Sequence, residues 1–67
     1  MMLRGRVAHF DAVSGRGVVR SDDGAEFSFH CVDIADGTRS IDVGAHIVGE
    51  RKVGHQGRDE VAGIYSI

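Results

Sequence analysis

The chain has 67 residues, with eight Lys and Arg against ten Asp and Glu, a formal charge of −2 and 42% apolar residues. That length holds one small core, burying only about 60% of the unfolded surface, and the composition is far from the low-hydrophobicity, high-charge mix of disordered chains. The acidic balance excludes a strongly basic domain held to nucleic acid by bulk charge, and the single cysteine, Cys31, excludes an internal disulfide and fits a reducing, cytoplasmic setting.

The opening Met-Met-Leu-Arg-Gly-Arg has no apolar block behind its charges, so neither an export signal nor membrane insertion is expected. Ten glycines and no proline, spread over the whole length, cut the sequence into short segments suited to strands. Residues 3–10 predict a first strand of mixed polar and apolar character, and residues 17–19 a short β-branched second one. Asp22-Asp23-Gly24 follows, with glycine where a tight hairpin needs positive φ. Residues 25–31 carry two phenylalanines and predict a third strand. From 32 to 44, Asp36-Gly37 and Asp42-Val43-Gly44 mark a long, turn-rich connection with room for one helical turn near Val32-Asp33-Ile34. Residues 45–53 and 60–67, rich in Val and Ile, predict the last two strands on either side of a polar loop at 54–59.

Five short strands, too few for a two-sheet sandwich, hide their edges best by closing on themselves. The expected fold is all-β, a single domain over residues 1–67 built as a five-stranded antiparallel OB-fold barrel. An SH3-like barrel has similar length and strand count and is the alternative from pattern alone.

Gly5-x-Val7-x-x-Phe10, Gly15-x-Gly17, Asp22-Asp23-Gly24, Phe27-x-Phe29-His30 and Asp36-Gly37-x-x-Ser40-Ile41-x-x-Gly44 follow one another through almost the whole chain. In order and spacing this resembles the bacterial cold-shock domain, apart from a one-residue deletion before Phe27 and a one-residue excess near the final loop. The resemblance implies an OB-type barrel that binds single-stranded RNA or DNA on one face, through two ribonucleoprotein motifs on the second and third strands. In such a site bases stack on a row of outward rings, each worth roughly 1 to 3 kcal/mol, while basic side chains follow the phosphates. Where the family has Lys-Gly-Phe-Gly-Phe-Ile, this chain has Ser14-Gly15-Arg16-Gly17-Val18-Val19, without either ring. Where the family has Val-Phe-Val-His-Phe, Phe27-Ser28-Phe29-His30-Cys31 keeps the histidine and puts Ser28 in the place of the middle ring. His9 stands for the family's tryptophan, Ala8 for the lysine before it, and Thr38 where a further aromatic often lies.

Strand alternation puts Phe27 and Phe29 on one face, expected to be core, and Ser28 and His30 on the other. Arg16, Val18 and Arg20 share a face by the same rule. If the two outward sets coincide, the surface is Arg16, Val18, Arg20, Ser28 and His30, bordered by His9 and Phe10, and these seven are the candidate nucleic-acid-binding residues. A guanidinium stacks on bases and forks onto phosphate oxygens, or simply solubilises an outward strand face. His9 and His30 can stack on a base and, when protonated, meet a phosphate; the alternative is two ordinary exposed histidines. Phe10 either borders this face or closes the barrel, and core is the expectation. Arg4, Arg6, Arg51, Lys52 and Arg58 could steer a polyanion, Lys52 lying just before the loop that holds His55 and Gln56, although Glu50, Asp59 and Glu60 cancel much of that field.

His9, His30, His46, His55 and Cys31 show no Cys-x-x-Cys or His-x-x-x-His spacing, so no metal is expected. Cys31 shares parity with Phe27 and Phe29 and is expected to turn inward, where a free thiol is inert. With no glycine-rich phosphate loop, Gly-x-Ser-x-Gly elbow or inward carboxylate pair, neither an enzyme nor a cofactor is expected. Two functions follow. One, which the resemblance implies, is weak binding of single-stranded RNA or DNA, as an RNA chaperone or a regulator of transcription or translation. The other is a protein-interaction module within a transcription or translation complex, since a face that trades rings for Val18, Ser28 and two arginines suits a mixed protein interface.

Overall fold

The computed structural model describes residues 2–35, 37, 39–54 and 59–67. Five strands run in chain order: β1 (Met2–Asp11), β2 (Arg16–Ser21), β3 (Glu26–His30), β4 (His46–Val53) and β5 (Asp59–Ser66), with one 3-10 turn, Cys31–Asp33, after β3. Each strand lies on a segment expected from the sequence. Among the described residues no helix is long and apolar enough to cross a membrane.

The first three strands form a meander, β4 returns to pair with β1, and β5 fills the gap between β4 and β3, closing the barrel in the order β1-β2-β3-β5-β4. This is the expected OB-type barrel with one correction, because the pairing is not antiparallel throughout. β3 and β5 run parallel, with Ser28 opposite Glu60, and just past β3 Ile34 lies parallel to Ile64. The reason is geometric: directions that alternate around a closed ring of five must coincide once.

Alternation along the strands fills the interior. Val7, Val19, Phe27, Phe29, Ile34, Ile47, Val61 and Ile64 are buried, and Leu3, Phe10, Cys31, Ile41 and Ala45 pack against them. Arg51 covers the Phe27 ring, its guanidinium carbon 5.7 Å from the ring centre, and is held there by Asp59 at 2.8 Å. One row of the core depends on a missing side chain. Gly17 pairs with Phe10 on one side and Phe29 on the other, and the two rings stack with centroids 6.0 Å apart and planes 8° from parallel. A Cβ at Gly17 would lie 2.5 Å from Phe29 Cε1 and 2.7 Å from the His9 carbonyl oxygen.

The side that Phe10 faces is decided by a β-bulge. Val7 pairs with Val19 but His9 pairs with Val18, so Ala8 is an extra residue in β1. The bulge is held from β4's side: the Val7 amide donates to the Ala45 carbonyl at 3.0 Å, and the Gly44 amide donates to the Val7 carbonyl at 2.7 Å. Unbroken alternation from the buried Val7 would turn His9 in and Phe10 out. With the extra residue, His9 is exposed and Phe10 reaches the core face.

In the β2–β3 hairpin Gly24 adopts φ 92°. Its amide donates to the Ser21 carbonyl at 2.9 Å, and the Ser21 amide donates to the Ala25 carbonyl at 2.8 Å. The Asp23 carboxylate accepts from the Ser21 hydroxyl and, at 3.1 Å, from the Ala25 amide. The Ser21 hydroxyl first, and then the Ala25 amide, hold the Asp23 carboxyl below the usual carboxylate range. A carboxyl whose pKa is lower folded than unfolded adds stability above the unfolded value, and that gain disappears as pH falls through the folded value. The stability deficit of Asp23→Asn should therefore be largest near about pH 7 and shrink toward about pH 3 or below. Urea midpoints at both ends check this; a deficit constant with pH would show that the carboxylate charge plays no part.

Candidate nucleic-acid interface

β1, β2 and β3 lie side by side, and cross-strand neighbours on their outer face form three rows. At one end Arg16 lies between Asp11 of β1 and His30 of β3. In the middle Val18 lies between His9 and Ser28, with Glu60 of β5 beyond Ser28. At the other end Arg20 lies between Arg6 and Glu26. His9, Arg16, Val18, Arg20, Ser28 and His30 thus share one face. Phe10 is separated from them, half-buried on the core side against Phe29.

Arg16 borders two shallow hollows. His9, Asp11, Ser14, Val18 and Ser28 help to line the first, and Ser28, His30 and Glu60 the second. Among the described residues the Arg16 guanidinium has no ion-pair partner. Arg20 differs, since its Nη2 lies 2.8 Å from Glu26 Oε2, with both side chains more than half exposed. An exposed pair of this kind is worth about 1 kcal/mol or less, so Arg20 can exchange Glu26 for another anion at little cost.

His30 has a structural role beside its outward one. Its amide donates to Asp33 Oδ2 at 3.0 Å while its Nδ1 accepts from the Val32 amide at 3.4 Å, so His30 and Asp33 cap the 3-10 turn reciprocally. An accepting Nδ1 places the ring proton on Nε2 and fixes the ring's orientation. Cys31 Sγ lies 3.7 Å from the same nitrogen, and the residue is half-buried against the core. The Cys31 amide donates to the Gly15 carbonyl at 2.6 Å, tying the turn after β3 to the β1–β2 turn at the Arg16 end of the face. Sequence reasoning missed this cap. Its one signal is the spacing His30-x-x-Asp33, a capping-box pattern with histidine in the place of Ser or Thr.

Among the described residues no three His, Cys, Asp or Glu side chains gather as a metal site requires. His46 sits on β4 opposite Arg6, and Lys52 opposite Glu60. Asp36, Thr38, His55, Gln56 and Arg58 lie outside the described residues.

The arrangement offers, among the described residues, the unpaired guanidinium of Arg16 with that of Arg6 at the far end, one oriented imidazole, a second imidazole and a half-buried valine, edged by Asp11, Glu26 and Glu60. Such a face can stack a base or two and meet a phosphate, but its balanced charge cannot hold a polyanion by field strength alone. No protein-family model and no curated protein matches this chain. Fold and surface together define its class: a five-stranded OB-type barrel with a mixed polar face across β1, β2 and β3.

Proposed function

We propose that this chain is a divergent cold-shock domain that binds single-stranded RNA or DNA weakly, acting in the cytoplasm as an RNA chaperone or a regulator of transcription or translation. The observation that carries this reading is Arg16. It stands unpaired among the described residues, between two hollows, on the strand where the resemblance puts the first ribonucleoprotein motif, beside an imidazole already held in one orientation. A guanidinium plane stacks on a base and forks onto a phosphate, and Val18 adds an apolar floor between His9 and Ser28. The absence of four stacking rings, at roughly 1 kcal/mol or more each, puts the affinity at least about a thousandfold below that of an aromatic-rich relative.

The test is a titration with oligo-U and oligo-dT of about six to ten nucleotides at low salt, following backbone amide shifts. Shifts centred on Arg16, Val18 and His30, with binding weakened about tenfold or more by Arg16→Ala, are the expected result. No shifts with oligonucleotide in the millimolar range would overturn the reading.

One observation favours the second reading, a protein-interaction module in a transcription or translation complex. Val13 and Val32, 98% and 75% exposed, stand in the two turns joined through Gly15 and Cys31. Apolar groups beside a charge-balanced face suit a protein partner. Saturable binding to one protein, unaffected by competing oligonucleotide, would identify this mode.

A further inference from the structure

We infer that a bound single strand does not end on the β2–β3 face, and that its phosphates continue over Arg20 and Arg6 onto the outer side of β1 and β4, where Arg4 and His46 extend a basic strip. This rests on the nucleic-acid reading above and lengthens its site beyond the two ribonucleoprotein motifs.

Before the bulge, β1 turns Gly5 and Val7 inward and Arg4 and Arg6 outward. The register places Arg6 directly between Arg20 of β2 and His46 of β4, and Arg4 opposite Val48. At a strand spacing of about 4.8 Å, Arg20, Arg6 and His46 span roughly 10 Å of surface, with Arg4 two residues along the same strand. Arg20 also shares the outer face of β2 with Arg16 and Val18, so the strip is continuous with the proposed platform.

Like charges directly opposite one another on neighbouring strands destabilise a sheet. Glu26 relieves Arg20 from its far side, but among the described residues neither Arg4 nor Arg6 has an ion-pair partner. An anion seated between Arg6 and Arg20 would remove that repulsion, and there is space for one: an open cleft lies between them, walled by Ala8, Val43 and Gly44. Its far wall is fixed by the same Val7 hydrogen bonds to Gly44 and Ala45 that hold the bulge. Asp22 stands on the rim, whereas the Asp23 carboxylate is turned into the hairpin. The cleft itself is lined by two guanidiniums, Arg6 and Arg20, against one carboxylate, Asp22; Arg4 lies two residues along β1, where Glu50 of β4 shares the outer face. A cleft of guanidiniums with an apolar wall fits a phosphodiester better than a base edge, which needs paired donors and acceptors.

The experiment is an anisotropy titration of labelled oligo-dT, about four and about twelve nucleotides long, across a salt series. Wild type, the double variant Arg4→Gln with Arg6→Gln, and Arg16→Gln are compared, each with its amide spectrum recorded to show that the fold is intact. Each neutralised phosphate of a single strand contributes about 0.7 to the slope of log K against log salt. For the longer oligonucleotide the double variant should lose about 1.4 of slope and at least about tenfold in affinity at low salt, while the shorter one is unaffected. Equal slopes for wild type and double variant at both lengths, with Arg16→Gln still weakening both, would overturn the strip and leave the platform standing. Equal weakening at both lengths would also overturn it, as would a double variant that loses an acidic peptide but keeps the oligonucleotide. No binding by wild type at either length sinks the platform as well.

Discussion

Gly17→Ala is expected to lower the unfolding free energy by about 3 kcal/mol, a large fraction of what a domain this small has to lose. The new Cβ would meet the Phe29 ring and the His9 carbonyl, and neither is the loose end of a flexible side chain. Phe29 is buried and stacked on Phe10, while the carbonyl belongs to a strand fixed to β2. Relief therefore means shifting a ring pair or a backbone ladder, the situation in which overpacking costs most. Ser28→Ala on the exposed side of β3 is the matched control and should stay within about 0.5 kcal/mol of wild type. Shortening the ring should give part of the loss back, so Gly17→Ala combined with Phe29→Leu should be more stable than the sum of its single effects predicts. Urea midpoints of wild type, Gly17→Ala, Ser28→Ala, Phe29→Leu and the double variant read all five proteins. A Gly17→Ala midpoint indistinguishable from that of Ser28→Ala would mean that the Phe10, Gly17 and Phe29 row is not a packing constraint.

That glycine also shows what a sequence reads well and what it hides. Gly15-x-Gly17, which leads into the second strand, is a motif landmark in the sequence, yet the need for Gly17 comes from Phe10 and Phe29, one on each neighbouring strand. Features set within one strand or one hairpin were legible. Phe27 and Phe29 are buried and Ser28 and His30 exposed, as alternation requires, and Gly24 takes the positive φ that its place in the hairpin demands. The coincidence of the outward sets of β2 and β3 follows from that same hairpin. Features set between distant strands were not. The bulge at Ala8 leaves no mark on hydrophobic period, so the inward turn of Phe10 cannot be counted off from Val7.

The parallel β3–β5 pairing is a different case, because strand count alone implies it: an odd number of strands in a closed ring is enough. The Arg20–Glu26 ion pair was likewise within reach, since both residues flank the hairpin at equal distances from Asp23. It matters because it separates the two arginines that alternation had treated alike. Arg20 is partnered and Arg16 is free among the described residues, which is why the platform is centred on Arg16.

Putting rings back on this face should strengthen oligonucleotide binding, and Val18 is the place to begin. It is half-buried on the outer side of β2, between His9 and Ser28, and it belongs to neither the buried core nor the cap of the 3-10 turn. A phenylalanine there keeps Arg16 for phosphate and adds one stacking surface, worth roughly 1 to 3 kcal/mol or about 5- to 150-fold in affinity. Ser28→Phe adds a second ring directly across the strand pair, and the two together should exceed about twentyfold at low salt. They will not add independently, because cross-strand neighbours touch. Stacking adds no charge contacts, so affinity should rise while the slope of log K against log salt stays at its wild-type value. If both rings fold in place and affinity does not move, no base reaches this face, and the exposed Val13 and Val32 beside it become the better guide to its partner.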